Sequence, residues 1–311
     1  QFLEWCNPMA EKHLGLNLER DQDMRITNLV RNPEFIDYII LGRYDKPLEM
    51  TFNDRRLVLQ IIPFENRRQI LVTHDKTESV RIEKIRRDFI ANASHELRTP
   101  LTVINGFLEV ALSQPDMDRE TRLSHLQMMK EQGERMQSLV ENMLVLTNLE
   151  STDYPLKREE FDVHLLIRQI VQAGQAISNG QHTISLELDG PQMLYGSMDE
   201  IRTAFTNLVT NAIRYTPEGG SITVKWAVTE EGPRFSVRDT GIGIEPQHIP
   251  RLTQRFYLVD KSRSRKERGT GLGLAIVRHA LLRHDAQLDI ESEPGKGSEF
   301  SAQFTNRILL P

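Results

Sequence analysis

Met129, Met136 and Met143 stand seven residues apart, as do Leu139 and Leu146, while Leu126 and Val140 share a register with Gly133 and Thr147. A seven-residue apolar repeat from about Arg119 to Glu150 demands a long helix whose seam is buried against other helices. Upstream, from Glu78, Ile82, Ile85 and Phe89 step by three and four, and Val103, Phe107 and Val110 continue an apolar face. The two stretches predict a helical hairpin over residues 79–152 that turns at Ser113-Gln114-Pro115-Asp116. One hairpin cannot bury both seams. Two copies form a four-helix bundle, so a homodimer is expected. The first helix carries Ser94-His95-Glu96-Leu97-Arg98-Thr99-Pro100-Leu101. Pro100 has no amide hydrogen and predicts a kink just after His95.

Either side of the hairpin the patterning changes. Residues 1–78 predict a small α/β module: a helix over Met24 to Tyr38, then strands at Leu48–Phe52, Leu57–Ile62 and Gln69–Thr73, with turn residues at Asn53-Asp54 and Glu65-Asn66. Ser151 to Lys157 has no apolar period and reads as a linker. Residues 158–311 alternate helices (Val163–Ser178, Met198–Tyr215, Leu274 to about His284) with strands (Thr183–Leu188, Ser221–Val228, Phe235–Arg238, Gln287–Ser292, Glu299–Thr305). This order predicts a mixed sheet with helices on one face.

The bulk numbers exclude several classes. A formal net charge of −5 gives no reason to expect direct nucleic-acid binding, and the lone cysteine, Cys6, permits neither an intramolecular disulfide nor a cysteine metal cage. Cys6 reads as a small buried hydrophobe. No window approaches the roughly 20 apolar residues of a membrane helix. The chain opens on Gln1 rather than methionine, so a fragment of a longer protein is expected.

Three polar constellations fall in the last domain. Asn207 and Asn211 are four apart on one helix, which aims both amides the same way, with Arg214 and Tyr215 following. Asparagine is a mediocre helix former, so two on one face suggest a polar site. Asp239-Thr240-Gly241-Ile242-Gly243 follows a strand, and its glycines permit close backbone approach to a ligand. Gly269-Thr270-Gly271-Leu272-Gly273 opens a helix, where free amides and the dipole favour phosphate. Each has a plain structural alternative: solvated asparagines, a tight turn, a helix cap. The glycine run is neither a Walker loop nor a Rossmann fingerprint. Before it lies the basic stretch Lys261 to Arg268, with Lys261, Arg263 and Arg268 among its cations, which reads as a lid over polyphosphate or a solvated loop.

Taken in order, Ser-His-Glu-Leu-Arg-Thr-Pro, Asn-x-x-x-Asn, Asp-x-Gly-x-Gly, Gln254-Arg255-Phe256-Tyr257 and Gly-x-Gly-x-Gly closely resemble the sensor histidine kinases of bacterial two-component systems. Trp5-Cys6-Asn7, Pro33-Glu34-Phe35 and His248 to Thr253 are similar to the branch of that family that senses phosphate supply. The Trp5-Cys6-Asn7-Pro8 opening and the His74-Asp75-Lys76-Thr77-Glu78 ending resemble a PAS domain. The fold class that follows is multidomain α/β. It comprises a PAS-like input module (1–78), a hairpin that dimerises into a four-helix bundle (79–152), and a GHKL-type α/β sandwich that binds ATP (158–311).

The resemblance implies roles. His95 takes the γ-phosphoryl of ATP on a ring nitrogen, Glu96 orients the imidazole and accepts its other proton, and Thr99 positions water for dephosphorylating a partner's phospho-aspartate. Asn211 ligates Mg²⁺, with Asn207 and Arg214 on the phosphates, Tyr215 near the adenine, and Asp239 on the adenine amine with clearance from Gly241 and Gly243. Lys261, Arg263 and Arg268 belong to the lid, and Gly269, Thr270, Gly271, Leu272 and Gly273 hold phosphate. Gln254 stands where the family usually has Glu, and Leu258 where Arg is common. The implied partners are a second copy, a response-regulator receiver domain, and a phosphate-transporter complex with its adaptor protein. The implied location is the cytoplasmic portion of an inner-membrane protein. A catalytically silent scaffold or another GHKL ATPase are the competing readings.

Overall fold

The structure is a computed structural model that describes residues 1–64, 68–114, 116–151, 153–259 and 269–309. It opens with four short helices: α1 (Pro8–Leu14), α2 (Leu18–Asp21), α3 (Ile26–Leu29) and α4 (Pro33–Leu41). The single helix expected over Met24 to Tyr38 is therefore two. Asn32 caps α4 by accepting from the Phe35 amide at 3.1 Å, and Pro33 sits at its first turn, where a missing N–H costs nothing. Asn7 and Pro8 repeat the device at α1, a helix too short to show a period.

Strands β1 (Leu48–Phe52), β2 (Arg55–Pro63) and β3 (Gln69–Asp75) form an antiparallel sheet in the order β1-β2-β3. Asn53 and Asp54 make the two-residue hairpin turn with φ of 49° and 60°, which their short polar side chains tolerate. The expected turn at Glu65-Asn66 lies outside the described residues. Leu57 and Leu59 face a core completed by Leu3, Cys6, Leu14, Val30, Phe35 and Met50.

Helix α5 spans Thr77–Ser113 and α6 spans Arg119–Glu150, capped by the Asp118 carboxylate on the Thr121 amide at 2.9 Å. Helix α5 continues through Pro100 rather than ending there. The proline withholds one amide hydrogen, from the Glu96 carbonyl, and the remaining turns carry the helix across it. Of the turn between the helices, Pro115 lies outside the described residues. Leu139, Leu146 and Leu149 of the seam are buried within the chain, whereas Leu126 and Val140 are 51% and 43% exposed.

Beyond the linker come β4 (Glu159–Asp162), α7 (Val163–Ser178), β5 (Thr183–Leu188), β6 (Met193–Gly196), α8 (Met198–Tyr215), β7 (Ser221–Thr229), β8 (Gly232–Asp239), α9 (Gly273–Arg283), β9 (Gln287–Glu293) and β10 (Gly297–Gln303). A five-stranded mixed sheet has the order β5-β7-β8-β10-β9, parallel only at β5·β7, and α7, α8 and α9 pack on it. The β4–β6 ribbon has no counterpart in the sequence reading, because four-residue strands carry too little alternation to register. At the core, the Phe205 and Phe235 rings stack with centroids 3.7 Å apart, flanked by Trp226 and Phe304. The chain divides by contacts into Gln1–Ser94 and His95–Pro311.

Candidate active site

Helix α8 supplies one wall of a cavity of about 410 Å³. Asn207, Asn211 and Arg214 recur at four and three residues, so they share a helical face, and Thr206, Thr210 and Tyr215 border the same space. The Asn207 amide donates to the Thr203 carbonyl at 2.8 Å, which fixes the side chain and leaves its oxygen beside Gly273.

The floor comes from the end of β8. Asp239 is buried; its Oδ1 accepts from the Gly241 amide at 2.8 Å and the Ser298 amide at 3.3 Å. Burial pushes its carboxyl above the usual aspartate range, and those two N–H groups oppose the rise without cancelling it. Gly243 has φ +68°, and a Cβ there would collide with the Glu293 carbonyl, so the turn under the cavity accepts glycine alone.

The opposite wall is the entry to α9. Gly271 has φ +70°, and its carbonyl accepts from the Phe256 amide at 2.8 Å; Phe256 itself is at φ +62°. A Cβ at Gly271 would sit 2.7 Å from the Phe256 backbone. Gly269, Thr270, Gly271 and Gly273 line the cavity. Leu272 is fully buried in the core and Gly241 lies beneath the wall, so neither borders the cavity. Lys261, Arg263 and Arg268 lie outside the described residues.

The hairpin residues are placed by α5. His95 and Thr99 are exposed one turn apart, with the Thr99 hydroxyl on the His95 carbonyl at 3.3 Å. The Glu96 carboxylate meets Arg135 of α6 at 3.4 Å. Ser138 and Asn142 of α6 also line the cavity, as do Tyr257, Leu258 and Ser298. The sequence reading missed these. Thr206 and Thr210 could have been found from the helical period running through Asn207 and Asn211; Ser138 and Asn142 could not, because their place depends on packing between distant elements.

Among the described residues no group of three or more His, Cys, Asp or Glu could hold a metal, and no helix is long and apolar enough to cross a membrane. Magnesium at a nucleotide requires little from the protein, since phosphate and water oxygens fill most of its shell. The amide oxygens of Asn207 and Asn211 at one cavity wall fit that need.

A helical hairpin bearing an exposed histidine, joined to an α/β sandwich with this cavity, defines the histidine kinases. Residues 85–152 match the His Kinase A (phospho-acceptor) domain, and residues 196–308 match the histidine kinase-, DNA gyrase B- and HSP90-like ATPase family. The chain is 46% identical over 306 residues to the phosphate regulon sensor protein PhoR of Pseudomonas aeruginosa, spanning 97% of this chain and 69% of that protein. It is 32% identical to PhoR of Haemophilus influenzae, over 99% of this chain and 72% of that one. This chain belongs to the sensor histidine kinases of the phosphate regulon. Among solved structures, histidine kinase ThkA in complex with response regulator protein TrrA matches 98% of this chain and 92% of its own at 22% identity, with a TM-score of 0.58. Full-length ShkA in complex with AMPPNP matches 70% of this chain and 45% of its own at 26% identity, with a TM-score of 0.53.

Proposed function

We propose that the cavity holds ATP and that His95 is the residue it phosphorylates. The observation that carries this reading is the meeting of Asn207, Asn211, Arg214, Asp239 and the Gly269–Gly273 loop around one space in a chain whose phospho-acceptor hairpin exposes His95. The Asp239 carboxylate accepts from the adenine amine, and Tyr215 packs near the base. Arg214 and the amides entering α9 neutralise phosphate charge, which is most of what phosphoryl transfer asks of a protein. Asn211, with Asn207 close by, would hold a Mg²⁺ ion, which would supply positive charge against the phosphates. A ring nitrogen of His95 attacks the γ-phosphorus, and the bond from that phosphorus to the β–γ bridging oxygen breaks to release ADP. Glu96 orients the imidazole and accepts the proton from the other ring nitrogen, and Arg135 of α6 contacts its carboxylate at 3.4 Å.

The phosphoryl group then passes to an aspartate of a response-regulator receiver domain, and Thr99 positions water for the reverse service, hydrolysis of that phospho-aspartate. The complex of ThkA with TrrA supports a partner of this kind. The half-exposed seam residues Leu126 and Val140 support a homodimer through the hairpin. We assign residues 1–78 to a PAS-like input module, 79–152 to dimerisation and phosphotransfer, and 158–311 to ATP binding. Phosphate status reaches the module from a transporter complex through its adaptor, at the cytoplasmic side of an inner membrane.

Incubation with γ-labelled ATP and Mg²⁺ tests the core of this reading: an acid-labile, base-stable phosphoprotein is expected, lost in His95→Gln with nucleotide binding retained. Labelling of His95→Gln would place the acceptor elsewhere. Thr99→Ala is expected to keep autokinase activity and lose phosphatase activity; equal loss of both would remove the role given to Thr99.

A further inference from the structure

One face of α6 runs past three features that belong to different parts of the chain. Arg135 touches Glu96, next to the acceptor histidine. Ser138 and Asn142 line the nucleotide cavity. Glu150 meets Arg255 at 2.6 Å and the His279 Nε2 of α9 at 3.2 Å. The steps from 135 to 138, 142, 146 and 150 are three, four, four and four, so these residues form one helical stripe, with buried Leu146 between the cavity and Glu150. Just beyond the helix, Arg283 donates to the Tyr154 carbonyl at 3.0 Å and lies over its ring. The Glu150 cluster and the Tyr154 contact thus hold α6 against α9 on both sides of the helix end.

The Asn142 amide donates to the Ser138 carbonyl at 2.8 Å, which orders the side chain on the cavity wall. The same nitrogen also donates to the Ser138 hydroxyl at 3.4 Å, and the amide oxygen can still accept. A ligand filling the cavity therefore touches the hairpin as well as the ATP-binding domain. Resting on the reading of this cavity as the ATP site, we propose that Asn142, with Ser138, is a nucleotide-contacting residue supplied by the hairpin, and that the Glu150–Arg255–His279 cluster is the latch that keeps it there. Nucleotide affinity and docking of α6 are then one linked equilibrium: whatever opens the latch weakens nucleotide, and nucleotide closes the latch by the same factor. The side chain acts by contact and takes no part in the chemistry.

The test is calorimetric titration of AMPPNP with Mg²⁺ into the full chain. Asn142→Asp sets a negative charge against a polyphosphate and is expected to weaken binding at least ten-fold. Asn142→Ala, which adds no charge, is expected to weaken it a few-fold, with the thermal melt of either variant confirming the fold. Glu150→Lys faces Arg255 with a like charge, removes the carboxylate beside His279 and opens the latch, so in that background the Asn142→Asp penalty is expected to shrink below two-fold. An Asn142→Asp penalty under two-fold in the otherwise native chain overturns the contact. A penalty unchanged by Glu150→Lys overturns the latch. Asp239→Asn is the control: if it still binds AMPPNP as the native chain does, the reading of the cavity fails rather than the role of Asn142.

Discussion

The buried carboxyl of Asp239 illustrates how a site residue can be kept at the expense of the fold. Because burial raises its pKa, Asp239 favours the folded state below the pKa of an unfolded aspartate, and that contribution is lost as pH rises through the higher folded value. Asp239→Asn keeps an oxygen for the Gly241 and Ser298 amides and removes the buried charge. The expected result is a melting temperature at pH 7.5 equal to or above that of the native chain, with the advantage narrowing toward pH 4. Nucleotide affinity should fall instead, by the roughly 1–3 kcal/mol of a mispaired buried polar group, about five- to 150-fold. Gly243 offers no such exchange. At φ +68° and against the Glu293 carbonyl, Gly243→Ala is expected to lower both melting temperature and nucleotide affinity. Calorimetry of each variant checks both predictions.

Among the elements, α9 is anchored to the start of α8 by His284. Its Nδ1–H donates to the Ala280 carbonyl at 2.7 Å, and its Nε2 accepts from the Ser197 amide at 3.0 Å, so the ring is neutral. Burial lowers its pKa, and the Ala280 carbonyl and nearby Glu200 pull the other way. A histidine held neutral contributes its stability above the unfolded pKa of about 6.5, and that contribution is lost as pH falls below it. The urea midpoint is expected to drop between pH 7.5 and 5.5, and His284→Gln should flatten that slope. On α6, Leu146 is 1% exposed, and Leu146→Ala should cost about 2–5 kcal/mol in a denaturant titration. The helices were legible because their periods are local: α6, α7 and α8 lie where the apolar spacing put them. The helix expected over Met24 to Tyr38 was not, because apolar residues continue across Asn32-Pro33 while the cap and the proline stop the backbone there.

For the whole molecule, the hairpin leaves Leu108, Leu112, Leu126, Val140 and Leu144 exposed, apolar side chains that a second hairpin would cover. Sedimentation of the native chain at micromolar concentration is expected to give a dimer. Leu126→Asp with Val140→Asp should give a monomer whose cavity still binds nucleotide; a dimer surviving that pair would place the interface elsewhere.

Local order is what the residues settle by themselves. The heptad seam, the capped and glycine-broken turns and the succession of His95, Asn207 to Asn211, Asp239 to Gly243 and Gly269 to Gly273 depend on neighbours a few positions apart, and they carry the family with them. Only the tertiary structure decided that Ser138 and Asn142 line the same cavity as Asn207 and Asn211, that Glu150 is gripped by Arg255 and His279, and that Leu272 is core while its neighbouring glycines border the cavity. Those facts come from packing between elements far apart in the chain. A helical period reports that a face will be covered, and it contains nothing about which partner covers it.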